Sequence, residues 1–160
     1  MPYDSRPSGW RFFLTIVIGL VLMSVPLPHV LDPLRPDFIL LFVIYWALSA
    51  PRVAGLTIAW ICGFLIDVFK GSVLGEHALA FLIVAYITHL WQLRIRIFPI
   101  WQQAATIFML LAGYQFIVFW IDGIVGDAVT TWARWLPVIT GAVLWPFLVA
   151  IMDTWNRGRR

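Results

Sequence analysis

The spacing of the charges constrains this chain more than any motif. Asp, Glu, Lys and Arg leave six apolar stretches: 20 residues between Arg11 and Asp32, 14 between Asp37 and Arg52, 14 between Arg52 and Asp67, 17 between Glu76 and Arg94, 25 between Arg96 and Asp122, and 18 between Arg134 and Asp153. A helix needs about 20 apolar residues, in a range of roughly 17–25, to cross a hydrocarbon core. Four stretches qualify and the middle pair is short. Pro51 removes a backbone donor and restricts Ala50 before it, and Arg52 adds a charge, so residues 38–66 divide into two short helices rather than one long one. Short spans are tolerated where tilt is small, the bilayer thins or neighbours shelter the ends. The expectation is an all-α integral membrane protein: a compact bundle of six transmembrane helices, two of them short, in a single polytopic domain over residues 1–160.

Composition excludes the alternatives. Apolar residues make up 62% of the chain and charged residues 12%, against about a quarter in a soluble domain. That leaves too few polar groups for the shell of a globular domain, and it is equally unlike a disordered chain. The single cysteine, Cys62, rules out an internal disulfide. The first apolar run is too long for a signal-peptide core and shows no small-x-small site before Pro26 and Pro28, so it is expected to remain as the first helix.

The net charge of +3 is better read as topology than as a nucleic-acid footprint. With six spans and both termini inside, Arg6, Arg11, Arg52, Arg94, Arg96, Arg157, Arg159 and Arg160 lie inside, and Arg35, Lys70 and Arg134 outside. Five spans would split these basic clusters. The basic inner face suits anionic lipid or a cytoplasmic partner. Trp10, Trp91, Trp101, Trp120, Trp132, Trp135 and Trp155 fall near predicted helix ends, where indole sits at headgroup level. Trp46, Trp60 and Trp145 fall deeper and are expected between helices.

From Gly55 to Gly75 a small residue or Asp recurs at every fourth position: Gly55, Ala59, Gly63, Asp67, Gly71 and Gly75. Steps of four stay on one helix face, and small residues there let another helix approach closely. The approaching helix is either part of this subunit or a partner's. Asp67 lies at the outer end of that face, where a carboxylate needs a partner. A local pair with Lys70, a cap for an adjacent helix, a partner contact and a proton relay are the candidates, the last disfavoured by the lack of a second deep carboxylate. Lys70 to His77 reads as an external turn whose glycines permit left-handed backbone. Arg35-Pro36-Asp37 reads as a helix start: Pro36 in the first turn, Asp37 satisfying early N–H groups, and a local Arg–Asp pair. Asp122 and Asp127 read as solvated loop acids. Pro146 falls inside the last helix and is expected to kink it. His29, His77 and His89 show no metal spacing, and no nucleophile elbow, HExxH or phosphate loop is present. No catalytic residue, metal site or cofactor is expected.

The order Arg35-Pro36-Asp37, Tyr45-Trp46, Pro51, Gly55, Gly63, Asp67, Gly71, Leu74-Gly75, His77-Ala78-Leu79 and Tyr86 resembles the bacterial rod shape-determining MreD family across roughly residues 35–86. The last two helices match only in hydropathy. The resemblance implies a non-enzymatic inner-membrane subunit of the cell-elongation machinery. It would bind the bitopic protein MreC, and through it connect to RodA, penicillin-binding protein 2 and the MreB filament. It also implies a fold similar to the substrate-binding subunits of energy-coupling-factor transporters, so a subunit that binds a small molecule or lipid is the competing reading. The candidate seats for MreC are the groove of Gly55, Ala59 and Gly63 and the outer segment with Asp67, Gly71, Gly75 and His77. Arg35, Pro36 and Asp37 belong to the structural signature. Gly63→Leu is expected to weaken the complex if the groove is the seat.

Overall fold

The computed structural model describes residues 9–28, 31–126 and 132–157. They form six α-helices: α1 (Gly9–Ser24), α2 (Phe38–Ser49), α3 (Leu56–Lys70), α4 (Glu76–Ile97), α5 (Ile100–Val125) and α6 (Leu136–Arg157). Single 3-10 turns at Asp32–Leu34 and Trp132–Trp135 precede α2 and α6, and no strand occurs among the described residues. The six-helix count follows the charge spacing, including the break at Pro51. α1 is shorter than its apolar run because it ends at Ser24, ahead of Pro26 and Pro28, which cannot continue a helix.

α2 is the core of the bundle. Every residue from Ile39 to Leu48 is buried, and a helix that is apolar all round belongs inside others. α1, α4 and α6 pack against it. At 1.5 Å per residue its 12 residues rise only about 18 Å, well short of the roughly 30 Å of hydrocarbon. It is therefore enclosed by longer helices. The turn joining it to α3 is tied to α4, where His89 Nε2 donates to the Ala54 carbonyl at 2.9 Å.

α3 lies along α4, and the small-residue face sets their distance. Ala59 and Gly63 are both buried there. A Cβ on Gly63 would lie 2.5 Å from Ala78 Cα and 2.6 Å from the His77 carbonyl oxygen. The groove is thus filled by this subunit's own α4, which leaves no seat for a partner's helix at Gly63. Gly55 stands apart, half-buried with open space around it. Trp60 corrects the sequence expectation: it is 45% exposed and stacks on Phe64 of its own helix, with ring centroids 5.6 Å apart. One residue past Ala59 turns it about 100° off the packed face. Trp46 and Trp145 are buried between helices as expected.

The charged side chains sort to two ends. At one, Tyr45 donates to Asp153 at 2.8 Å, Asn156 to Tyr45 at 3.1 Å, and Arg11 to Asn156 at 3.1 Å. Arg96 caps the end of α2 there by donating to the Leu48 carbonyl. At the other end gather Arg35, Asp37, Asp67, Lys70, Asp122 and Arg134. Helix starts and ends alternate between the two, as in an up-and-down bundle. Arg6, Asp127, His29, Arg159 and Arg160 lie outside the described residues.

Candidate functional site

The densest polar cluster is at the Asp67 end, where α2, α3, α4 and α5 converge. It exists because α4 begins without a cap of its own. Gly75 occupies the N-cap position and has no side chain, so the first N–H groups of α4 need acceptors from elsewhere. Asp67, in the last turn of α3, supplies them. Its Oδ2 accepts from the Gly75 N–H at 2.8 Å and the Ala78 N–H at 3.3 Å, and its Oδ1 accepts from the His77 N–H at 2.9 Å. The Ser72 hydroxyl adds a bond to Oδ1 at 3.0 Å. The carboxylate is fully buried, and it faces the positive end of the α4 dipole. A cap that is usually local is here delivered across a turn by the preceding helix.

The turn is built for this delivery. Gly71 ends α3 at φ 65° and Gly75 starts α4 at φ 101°, left-handed angles that other L-residues rarely adopt. The Asp67 carbonyl accepts the Ser72 N–H at 3.1 Å, so both the backbone and the side chain of Asp67 hold the turn. Val73 and Leu74 are left exposed at its tip, with Val68 and Phe69 exposed beside them.

His77 extends the network. Its Nδ1 lies 2.9 Å from Asp67 Oδ1 and its Nε2 lies 3.3 Å from Lys70 Nζ. An ammonium can only donate and a carboxylate only accepts. The ring therefore carries its proton on Nδ1, giving it to Asp67 and accepting from Lys70. Lys70 continues to Asp37 Oδ1 at 3.4 Å, and the Tyr114 hydroxyl of α5 meets the same Asp37. Beside this chain, buried Glu76 lies against Asp122, which is ion-paired to Arg134. Arg134 also lies over the Phe119 ring, 5.7 Å from its centroid.

Of the residues singled out by sequence, Asp37, Asp67, Gly71, Gly75 and His77 come together here. Gly63 abuts the cluster, lying against the His77 and Ala78 backbone, whereas Gly55 and Ala59 stand further along α3 and Arg35 takes another task. Its guanidinium donates to the Met23 and Val25 carbonyls, which closes the end of α1. The expected Arg35–Asp37 pair is therefore absent. Asp37 occupies the N-cap of α2 without a side-chain cap bond, and Pro36 precedes the helix instead of opening it. Lys70 pairs with Asp37 and His77 instead of Asp67, because Asp67 points into the turn. Asp122 is no solvated loop acid: it belongs to α5 and holds Arg134. Tyr114 and the Asp37–Lys70 link went unread. The available signal was that both charges fall at the same end under six crossings.

The Lys70–Asp37 pair is the weakest link, since the Lys70 side chain is 38% exposed. Exposed pairs contribute about 0–1 kcal/mol. Lys70→Met is expected to lower the midpoint of thermal unfolding in detergent by at most about 4 °C. A larger drop would show that Lys70 also holds His77 in place.

A helical bundle with polar clusters confined to its ends, and with Glu76–Ile97, Ile100–Val125 and Trp132–Asn156 each long and apolar enough to cross a bilayer, points to the class of polytopic membrane proteins. The chain belongs to the MreD family: the family model for rod shape-determining protein MreD matches residues 8–154. It is 26% identical over 136 residues to the rod shape-determining protein MreD of Haemophilus influenzae, covering 85% of this chain and 84% of that one. No solved structure matches the chain. Membership supports a structural role in rod-shape determination at a membrane.

Proposed function

We propose that this protein is a non-enzymatic scaffold of the cell-elongation machinery in the bacterial inner membrane, with both termini cytoplasmic. In this reading it binds MreC and thereby couples RodA, penicillin-binding protein 2 and the MreB filament. Family membership over residues 8–154 carries the proposal. The excess of arginines on the side assigned inside supports the orientation. The Asp67 end is then periplasmic and the Asp153 end cytoplasmic. A six-helix arrangement similar to the energy-coupling-factor binding subunits belongs to the same proposal.

The contact for MreC is placed at the periplasmic turn rather than the groove. The groove is filled by α4, whereas Val73 and Leu74 are apolar, exposed and held on a turn that Asp67 fixes from below. A rigid apolar tip binds with less loss of conformational freedom than a loose loop does.

The test is depletion of the protein in its native bacterium, with cell shape followed by microscopy and MreC recovery by detergent pull-down. Rounded, widening cells and specific recovery of MreC are expected. Unchanged rods and no MreC would overturn the proposal and favour small-molecule binding instead.

A further inference from the structure

At the Asp153 end, α2, α4, α5 and α6 leave a small cavity whose lining includes Tyr45, Arg96, Gln103, Trp145, Val149 and Asp153. It offers about 20 Å³ of room for water centres. Trp145 is 1% exposed, and its indole N–H has no acceptor among the described residues. A buried donor of this kind requires a partner. We propose that the cavity is a binding site for one ordered water, which accepts from Trp145 Nε1–H and donates to Asp153.

The size and the chemistry agree on that ligand. One water needs about 10–15 Å³ by this measure, whereas small-molecule sites run to roughly 300–1,000 Å³. The space suits water and is too small for a headgroup or a vitamin. A buried water keeps two to four polar partners. Asp153 accepts from Tyr45, and a carboxylate offers about four lone-pair sites, so it serves as an acceptor for water as well. Trp145 is an α6 residue, immediately before the Pro146 that interrupts the hydrogen bonding of that helix. The water therefore bonds to α6 on both sides of that interruption, at Trp145 and at Asp153, against α2. It is a structural ligand that this end of the bundle folds around.

The experiment is water–protein NMR on the full-length protein, labelled with 15N-tryptophan, in lipid nanodiscs. Trp145 Nε1–H is assigned by its disappearance in Trp145→Phe or, if that variant fails to fold, by sequential assignment. A cross-peak between this proton and water is expected, and its absence would overturn the site. Val149→Leu adds one methylene to the lining, close to the size of the water. It should abolish the cross-peak while leaving the Tyr45 and Arg96 protons, which exchange with solvent, in place. A cross-peak that survives in folded Val149→Leu would show relay through those groups and would also overturn the proposal.

Discussion

Gly63→Ala is expected to destabilise the fold severely. The added Cβ would meet Ala78 Cα at 2.5 Å, the His77 carbonyl oxygen at 2.6 Å and the Ala78 N at 2.7 Å. All three are backbone atoms of α4, so no side chain can rotate away. The helices must separate, and the separation pulls the first turn of α4 off the Asp67 carboxylate. Overpacking typically costs about 1–3 kcal/mol, and this site belongs at or beyond the top of that range because two elements of the fold are strained together. The measurement is the yield of monodisperse protein and its thermal midpoint in detergent. Gly113→Ala is the control: it lies inside α5, and its Cβ would meet nothing within 4 Å, so it should behave as wild type. A Gly63→Ala protein that also matched wild type would show that α3 and α4 are not closely packed. The same geometry changes the meaning of Gly63→Leu. Loss of a partner from that variant would report a broken fold and say nothing about where MreC sits.

Asp67→Ala is expected to be of comparable severity. It strands three buried or half-buried backbone N–H groups, of Gly75, His77 and Ala78, and removes the acceptor for Ser72 and for the His77 ring. An unsatisfied buried donor costs about 1–3 kcal/mol. Three of them amount to several kcal/mol, a large part of the roughly 5–15 kcal/mol that holds a folded domain together. Asp67→Asn separates charge from shape. It keeps one acceptor oxygen but turns an amide NH₂ toward donors, so it should remain foldable with a clearly lowered thermal midpoint. Equal midpoints for wild type and Asp67→Asn would mean that the carboxylate does not cap α4 as described.

Much of the architecture was legible because bilayer crossing imposes a length and a charge rule that a single sequence displays. The break at Pro51 and the short α2 and α3 followed from them. What was not legible were distances across the bundle. Arg35 and Asp37 are neighbours in sequence, and Asp67 and Lys70 are one turn apart, so local pairing was the natural expectation. Both pairings fail because Arg35 reaches back to the orphan carbonyls of α1 and Asp67 turns toward the orphan N–H groups of α4. Backbone groups without partners at helix ends outcompete nearby opposite charges. Tyr114 carried no sequence signal at all, since one tyrosine in an apolar helix gives no hint that Asp37 lies opposite. Of the small-residue stripe, Gly63 meets the α4 backbone closely while Gly55 stands in open space, a difference that spacing alone does not display.

The most direct measurement uses Leu74, which is 64% exposed at the tip of the turn between α3 and α4. Leu74→Asp would replace the wild type in cells depleted of the native protein, with protein level, MreC recovery and cell shape measured together. The expected result is a protein that accumulates normally, recovers at least about tenfold less MreC, equivalent to about 1.4 kcal/mol, and leaves the cells rounded. Wild-type recovery of MreC together with normal rods would contradict the placement of the partner at this turn.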